Sequence, residues 1–447
     1  MPFPLPLTPF ERYYLADDRA DYPTTIPVEL QFTGELDRPA FVAALQQVVA
    51  RHPLLNATVA EGPDGPRWIA GACPDPRLDW ETTDAELPSA PQVSEHLDLR
   101  QRPGLRVWVR VGPGRSTVWL QMHHACCDGL AVLDFVGDLL VLYAAANTKG
   151  TADLPPLDPE RLTERAAFDA GPPRRPSPAV AARDAWMMLY VWWRILVRRC
   201  AVLASAAPRP SAASDPLSFQ ILVMPRAPSE QYKGVARARQ VTVNDLLLRD
   251  MLLTVQTWNS AHGRRRTGLC RINMPVYVRD RKAAPIPASN GIGFGFVTVS
   301  PDKHAGPGPL LSAVHRETQR IKNWKQALYF LAGLAIGNRR PRLMKWALGR
   351  PRSLATVVLS YLGPALARTP LPRRDDGKLR CGNIVLEHIA GVPPVRPLTR
   401  ASMVVLEYAG ELTLGLRCDP HDFAPENTRE LLQAFRSLTY ETIRTGE

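Results

Sequence analysis

The residue types best suited to proton transfer stand together in one short run, Met122-His123-His124-Ala125-Cys126-Cys127-Asp128-Gly129, which has the pattern HHxxxDG. A neutral imidazole titrates near neutral pH, so it can accept a proton from a hydroxyl or an amine and pass it on. A chance match to this pattern in a chain of this length has odds of about one in a thousand. The run therefore predicts a catalytic proton-transfer site.

A strand is predicted before this run and a helix after it. Apolar residues alternate with others over residues 118–122, after turn residues at 112–114. Apolar residues then recur at helical spacing over residues 133–143. Neighbouring side chains on a strand point to opposite sides. We therefore expect one histidine to face the reaction and the other to face the interior.

Asp128 and Gly129 follow the histidines at a tight bend. Asp128 could orient an imidazole, as in a catalytic triad, or pair with an arginine and lock the loop. Gly129 has no side chain, so a substrate or another backbone can approach it closely. The alternative is a buried histidine pair beside a helix-capping aspartate, which the complete pattern disfavours. A metal site is also disfavoured, because no third and fourth ligand stands at a recognisable spacing.

At these residues the sequence resembles the HHxxxDG acyltransferase superfamily. This superfamily includes chloramphenicol acetyltransferase, the condensation domains of nonribosomal peptide synthetases, and wax ester synthase/diacylglycerol acyltransferases. Four shorter segments also resemble condensation-domain or wax ester synthase segments, namely residues 7–14, 49–55, 241–248 and 290–294. The similarity spans most of the chain, and the HHxxxDG run is its specific part.

The resemblance implies an α+β fold with two chloramphenicol acetyltransferase-like lobes. Each lobe would be a mixed β-sheet with flanking helices, and the active-site tunnel would lie between them. By the same resemblance His124 is the general base, which deprotonates an acceptor hydroxyl or amine as it attacks a thioester carbonyl without a covalent enzyme intermediate. His123, Asp128 and Gly129 are structural parts of the motif.

The resemblance also implies an arginine that braces Asp128. Arg279 matches the P-x-x-x-R segment of the superfamily and is the first choice, and Arg51 is the second. The group that stabilises the oxyanion stays open between Ser360, Ser289 and backbone N–H groups near Gly129. The implied co-substrate is acyl-CoA or a phosphopantetheine thioester, with no bound cofactor and no metal, and the implied donor partner is acyl-CoA or an acyl carrier protein.

Length and composition are those of a globular protein with room for two domains. Hydrophobic residues make up 45% of the 447 and charged residues 22%, which excludes a disordered chain. The 7 cysteines form no CxxC pair and are odd in number, which argues against a disulfide framework or a zinc ribbon. The first residues lack a basic stretch and an apolar core, so we expect no signal peptide and a cytoplasmic location.

The net charge of +12 requires an anionic partner. No groove-reading motif or basic arm appears, so we expect no nucleic acid. Phosphates of coenzyme A, an acidic carrier protein and an anionic membrane surface are the alternatives. Arginines border two apolar stretches, residues 186–193 before Arg194, Arg198 and Arg199, and residues 324–336 before Arg339, Arg340, Lys345 and Trp346.

The first apolar stretch predicts an amphipathic helix. One predicted face carries Arg183, Arg194 and Arg198, and the other carries Trp186, Leu189, Trp193 and Leu196. This composition is typical of a helix that lies in a membrane interface, on the inner face of the membrane for a cytoplasmic protein, and the stretch is too short to span a bilayer. The alternative is a buried helix that links the two halves and whose arginines reach out to water.

Three segments are predicted along the chain. Residues 1–165 form a first lobe that carries HHxxxDG, residues 166–215 form a Pro/Arg/Trp-rich linker or membrane-facing insertion, and residues 216–447 form a second lobe. Predicted helices cover residues 39–52, with Asp37 as the N-cap, residues 243–258 and the residues after Pro425. Further strands are predicted over residues 107–111, 217–223, 292–299, 401–408 and 412–416.

Three functions remain open at this point. The leading hypothesis is an acyltransferase that moves an acyl group from a thioester to a hydroxyl or amine of an apolar or lipid acceptor. The second is a free-standing condensation-type enzyme that takes its donor from a carrier protein in trans, forming an amide or an ester. The third is a non-catalytic docking protein, because a fold does not fix a function.

Overall fold

The structure is a computed structural model that describes residues 2–71, 77–84, 96–166, 178–206, 219–264, 266–279, 285–340, 342 and 352–447. The predicted basic-apolar pair at Lys345 and Trp346 lies outside the described residues, as do the first two residues of the strand predicted over 217–223.

The strands carry most of the β-branched and aromatic residues that pack on the pleated faces of the sheets. In chain order they are β1 (Leu5–Pro6), β2 (Thr25–Thr33), β3 (Ala57–Ala60), β4 (Arg67–Ala70), β5 (Arg77–Thr82), β6 (Leu105–Gly112), β7 (Arg115–His123), β8 (Phe219–Met224), β9 (Cys270–Tyr277), β10 (Ile292–Val299), β11 (Val357–Pro364), β12 (Arg380–Cys381), β13 (Ile384–Gly391), β14 (Ala401–Tyr408) and β15 (Glu411–Cys418).

Several helices begin at side chains that cap their first free N–H groups. Thr8 and Thr242 form capping boxes, and Asp37 accepts a hydrogen bond from the N–H of Ala40 at 2.8 Å, so the predicted N-cap is confirmed. The helices are α1 (Pro9–Asp17), α2 (Arg38–Arg51), α3 (Gly129–Thr148), α4 (Pro178–Leu196), α5 (Arg226–Ala238), α6 (Val243–Ala261), α7 (Pro307–Asn323), α8 (Gln326–Asn338) and α9 (Pro425–Thr445).

Two six-stranded sheets form the framework. The first sheet has the strand order β12-β13-β2-β7-β6-β5, and the second has the order β10-β9-β11-β14-β15-β8. Both are mixed, because β5 runs parallel to β6 in the first sheet and β11 runs parallel to β9 and β14 in the second. The predicted α+β fold with two lobes of mixed sheet and flanking helices is therefore confirmed.

The second half of the chain contributes strands β12 and β13 to the first sheet. β13 pairs antiparallel with β2, with Val385 opposite Thr33 and Gly391 opposite Val28, so late residues complete the first sheet. The division of the chain into segments at residues 165 and 215 stays a prediction. The pairing of β13 with β2 means that the chain returns to the first sheet, which local sequence patterns do not indicate.

The predicted elements are present with small shifts at their ends. The strand and helix around the histidines are β7 and α3, and the helices predicted over 39–52, over 243–258 and after Pro425 are α2, α6 and α9. The strands β6, β8, β10, β14 and β15 correspond to the remaining predictions. Local apolar periodicity was sufficient to predict these helices and strands, because each of them packs one apolar face on a core.

Helix α3 supports the first sheet and contacts α2. By length and composition alone it is the one helix among the described residues that is apolar enough to cross a membrane. Eleven of its residues are buried, including Phe135 and Val136, so it serves as a core helix of the first lobe. Core helices pass the same test of length and composition, which makes it weak support for a membrane span.

Candidate active site

A cavity of about 530 Å³ lies between the two sheets. His124 and Gly129 line it from the end of β7 and the start of α3, and Phe294 and Ser360 line it from the second sheet. Most of the wall is apolar, so a charge placed there loses hydration. The predicted tunnel therefore corresponds to an apolar chamber between the lobes.

His124 is held at the end of β7 by the backbone and faces this cavity. Its N–H donates to the carbonyl oxygen of Thr24 at 2.8 Å. Its ring stacks on the ring of Tyr14 with a centroid distance of 4.2 Å and an interplanar angle of 17°. The Tyr14 hydroxyl lies 3.2 Å from Nε2 of His124. Because burial raises the pKa of Tyr14 well above its usual value, the hydroxyl keeps its proton and donates it to Nε2.

The imidazole of His124 is neutral at physiological pH. Burial lowers its pKa to about 4, and the nearby His123 also lowers it, while backbone carbonyl groups and Asn290 act in the opposite direction. A neutral ring has a free lone pair, as a general base requires. A low pKa also means that the protonated ring readily gives its proton to a leaving group.

His123 points to the opposite side, as the alternation of the strand predicts. Its side chain is fully buried, and its Nδ1 accepts a hydrogen bond from the N–H of Ala125 at 3.0 Å. Nε2 therefore carries the proton and lies 3.3 Å from Oδ2 of Asp18. Burial acts to raise the pKa of Asp18, but the hydrogen bonds from His123 and from the N–H of Thr24 outweigh it, and the pKa falls to about 2. These contacts hold the ring of His123 in the interior of the first lobe, away from the cavity.

Asp128 joins the first lobe to the second. Its Oδ1 caps α3 by accepting from the N–H groups of Leu130 and Ala131, each at 3.0 Å. Its Oδ2 accepts from the N–H of Gly291 at 2.6 Å, across 163 positions of sequence. Burial raises the pKa of Asp128, and these three hydrogen bonds and the nearby Arg279 oppose that rise. One oxygen of Asp128 therefore caps the helix and the other locks the loop. The two alternatives from the sequence apply to the two oxygens of the same carboxylate.

The expected ion pair with an arginine is corrected by the structure. Asp128 and Arg279, both within the described part of the chain, make no direct ion pair. Nη2 of Arg279 instead donates to the carbonyl oxygen of Asn290 at 2.6 Å and to Oγ of Ser289 at 3.0 Å. The second choice, Arg51, pairs with Asp138 through Nε at 2.8 Å. Backbone N–H groups replace the arginine because Gly291 approaches closely enough to donate directly.

Asn290 is a site residue to which the sequence had assigned no role. Its Nδ2 donates to the carbonyl oxygens of His124 and Ala125, each at 2.9 Å. This amide therefore fixes the backbone of His124 from the other lobe. The signal that could have identified it is its position in the segment 290–294, which resembles the superfamily.

Tyr14 was also missed, and a buried ion pair places its helix. Arg165 donates from Nε to Oε1 of Glu11 at 2.8 Å, and Nε1 of Trp68 donates to Oε2 of the same carboxylate at 2.9 Å. Glu11 is one turn before Tyr14 on α1, so this ion pair holds α1 against the first lobe. Both residues lie in the segment 7–14 that resembles condensation domains.

The candidate oxyanion groups lie in different surroundings. Ser360 lines the cavity from β11. Ser289 is 1% exposed, and its hydroxyl donates to the carbonyl oxygen of Pro287 and accepts from Arg279. Gly129 faces Leu362, and a Cβ at this position would lie 2.9 Å from Cδ2 of that residue. A side chain at position 129 would therefore require the end of the Leu362 side chain, which also lines the cavity, to shift.

Cysteine and metal chemistry have little support in the described residues. Burial raises the pKa of Cys126 and of Cys127, so both stay as thiols rather than reactive thiolates. Across the part of the chain that the structure describes, no group of three or more His, Cys, Asp or Glu side chains could hold a metal ion.

Comparison with known proteins gives a family match for the first part of the chain and structural matches for nearly all of it. Residues 6–161 match the model of the Condensation domain family. An uncharacterized protein of Mycobacterium tuberculosis, Rv2305, is 24% identical over 374 residues, which cover 80% of this chain and 83% of that protein. The probable non-canonical nonribosomal peptide synthetase CymA of Salinispora arenicola is 34% identical over 134 residues. That match covers 29% of this chain but only 2% of CymA.

Solved structures match along nearly the whole chain. The first condensation domain of the calcium-dependent antibiotic synthetase, in complex with substrate analogue 2a, has a TM-score of 0.72 at 16% identity and covers 98% of this chain and 97% of its own. The starter condensation domain of rhizomide synthetase RzmA, a mutant in complex with C8-CoA, has a TM-score of 0.69 at 16% identity and coverages of 98% and 94%. The epimerization domain of tyrocidine synthetase B has a TM-score of 0.66 at 15% identity, with coverages of 99% and 96%.

The fold is therefore that of the chloramphenicol acetyltransferase-like class, with two lobes of mixed sheet and flanking helices. Residues 6–161 match the Condensation domain family and the whole chain has the fold of solved condensation domains, so the predicted resemblance is confirmed. Because an epimerization domain shares the fold, the fold alone does not choose the reaction.

Proposed function

We propose that this protein is an acyltransferase that moves an acyl group from a thioester to a hydroxyl or amine of an apolar acceptor. The observation that carries the proposal is a neutral imidazole, His124, in an apolar cavity between the two lobes. Such a ring can take a proton from a bound acceptor, because water does not compete with the acceptor in an apolar cavity. The predicted cytoplasmic location is part of the proposal, because acyl-CoA would be available there.

In the proposed reaction the acceptor oxygen or nitrogen attacks the carbonyl carbon of the thioester while Nε2 of His124 takes its proton. The tetrahedral intermediate then collapses, the C–S bond breaks, and the protonated ring gives the proton to the departing sulfur. The products are the ester or amide and a free thiol, and the histidine returns to its neutral form. Tyr14 must release Nε2 before the acceptor can bind there, because the lone pair accepts one hydrogen bond.

Two separate observations support a thioester as the donor and an apolar molecule as the acceptor. A structural relative, the RzmA starter domain, is in complex with C8-CoA, which supports a thioester donor. The cavity wall contains a cluster of aromatic rings, Phe294, Phe296 and Phe330, with centroids 5.2 to 6.3 Å apart. Such a wall favours an apolar chain or an apolar acceptor.

The test is a turnover assay with purified protein, acyl-CoA and a panel of alcohols and amines, in which thiol release and product mass are measured. We expect His124→Ala to lower kcat/KM by about 10²–10⁴-fold, the usual size of a general-base contribution. The control is His388→Ala, a histidine on β13 whose side chain is 38% exposed. Unchanged turnover in His124→Ala would contradict the assignment of the base.

The runner-up is a condensation-type enzyme that receives its donor from a carrier protein in trans. The match to the Condensation domain family and to peptide synthetases favours it. Transfer from an acyl-loaded carrier but not from acyl-CoA would select this function. If neither donor supports turnover in a folded protein, a docking role remains.

A further inference from the structure

Helix α4 has two apolar faces with different surroundings. Three residues of its inner face, Trp192, Ile195 and Leu196, line the cavity that contains His124. Its outer face is exposed, with Trp186 at 57%, Leu189 at 66%, Trp193 at 50% and the adjoining Val197 at 56%. These four residues follow at intervals of three and four, so they form one stripe along the helix.

The stripe continues onto the neighbouring turn before α8. Trp186 stacks on Tyr190 with a centroid distance of 5.4 Å, and Tyr190 meets Trp324 at 6.3 Å. Trp324 is 42% exposed. We call Trp186, Leu189, Trp193, Val197 and Trp324 the α4 patch. Of the nine large apolar residues that are exposed in the described part of the chain, five belong to it, which is more than scattered surface residues would produce.

The predicted division of the helix into faces needs two corrections. Arg194 is not on a solvent face but is 7% exposed, and its Nη2 lies 2.5 Å from Oε1 of Glu317. Leu196 turns to the cavity, and Val197 takes its place in the exposed stripe. The reason is that α4 packs on α8 and that Glu317 of α7 binds Arg194, so the side of α4 that carries Val191, Arg194 and Ile195 is buried.

Basic residues surround the α4 patch. Arg198 and Arg199 are exposed just after the helix, and Lys322 and Lys325 are exposed beside Trp324. The guanidinium of Arg320 lies over the ring of Trp324 at 5.5 Å. The nearest acidic residues that precede these basic residues in the chain are paired, Asp184 with Arg183 and Glu317 with Arg194 and Arg320. Among the described residues the α4 patch is therefore apolar at its centre and mainly cationic at its edges.

This combination fits an anionic lipid surface. Tryptophan prefers the boundary between lipid chains and headgroups, and basic residues are attracted to anionic headgroups. A second copy of the chain is disfavoured, because it would bring two cationic rims together. An acidic carrier protein would pair with the basic residues, but its charged surface would not cover the exposed apolar residues of the α4 patch.

We infer that the protein docks on an anionic membrane through the α4 patch and takes its apolar acceptor from that membrane. The second part rests on the proposed function. A helix with its side chains is about 10–12 Å across, so α4 alone separates the docked surface from the cavity that its inner face lines. An acceptor that leaves the bilayer beside α4 would reach His124 without crossing water.

The docking is tested by co-sedimentation with vesicles of phosphatidylcholine, with and without phosphatidylglycerol. We expect binding only when phosphatidylglycerol is present, and weaker binding at high salt. The variant Leu189→Gln/Trp193→Gln should bind at least tenfold more weakly. The matched control is Ile69→Gln/Leu398→Gln, which changes exposed apolar residues away from the α4 patch and should bind like the wild type.

Four outcomes separate the inference from the proposed function. Vesicle binding without acyl transfer supports docking and contradicts the acyltransferase. If Leu189→Gln/Trp193→Gln still transfers the acyl group to a short water-soluble alcohol, the variant is folded. Its loss of vesicle binding then supports docking. No binding by the wild type, or equal binding by the variant, overturns the inference. A dimer seen by light scattering that the same variant dissolves would also overturn it, because a second copy would then cover the patch.

Discussion

The replacement Asp128→Asn tests whether one carboxylate holds the two lobes together beside His124. In the variant, the amide oxygen can still cap α3, but the amide nitrogen then faces the N–H of Gly291. Two donors oppose each other where the carboxylate accepted a hydrogen bond at 2.6 Å. A hydrogen bond to a charged group contributes about 1.5–3 kcal/mol, and a buried unpaired donor costs about 1–3 kcal/mol. We expect the local contact to weaken by about 2–4 kcal/mol.

Hydrogen exchange at the amide of Gly291 measures this contact directly, because local opening controls exchange. A loss of about 2–4 kcal/mol corresponds to exchange about 30–1,000-fold faster. The junction also carries His124, so we expect kcat/KM to fall by about 10²-fold, the effect of displacing a reacting group by about 1 Å. Mass spectrometry of the peptide that contains Gly291 and a turnover assay would provide the two readings.

The control for this prediction is Asp134→Asn. Asp134 lies on the same helix, α3, and is exposed, so its replacement leaves the hydrogen bond between Asp128 and Gly291 in place. We expect exchange at Gly291 to stay at the wild-type rate in the control. If Asp128→Asn also leaves the exchange rate unchanged, the carboxylate does not join the lobes and the reasoning fails.

Three further results are expected. The kcat/KM should be constant at neutral pH and fall only as the pH drops towards about 4, because burial lowers the pKa of His124 to about 4 and the base acts in its neutral form; a midpoint near 6.5 in the pH–rate profile would indicate a hydrated ring. Tyr14→Phe should raise kcat/KM up to about fivefold, because it removes a hydroxyl that competes with the acceptor for Nε2 of His124 by about 1 kcal/mol and keeps the ring stack. A hundredfold loss would instead show that the hydroxyl takes part in proton transfer. Gly333→Ala should destabilise the protein by about 1–3 kcal/mol in calorimetry, because the new Cβ would lie 1.7 Å from Nε1 of Trp192; an unchanged unfolding temperature would contradict the close packing of α4 on α8.

Sequence reasoning was most successful for the elements that position the histidines. The alternation before His123 predicted β7, and the helical spacing after Gly129 predicted α3. The period of two along a strand also predicted that His123 and His124 face opposite sides. These features depend on neighbouring residues only, so the sequence contains them.

The partners of the site residues were beyond sequence reasoning. Asp128 was expected to pair with Arg279, yet its second oxygen binds the N–H of Gly291, which depends on how close two lobes approach. Asn290 and Tyr14 reach His124 from distant parts of the chain, and neither contact leaves a local pattern. A backbone donor in particular is invisible in a sequence, because every residue except proline has one.

The sequence by itself determined the motif, the elements that carry it and the class of fold. The tertiary structure alone decided which atoms hold His124 and Asp128, that β13 completes the first sheet, and which side of α4 is exposed. The physical reason is range: periodicity and capping act within a few residues, whereas burial and the choice of a hydrogen-bond partner depend on surfaces brought together by the whole chain.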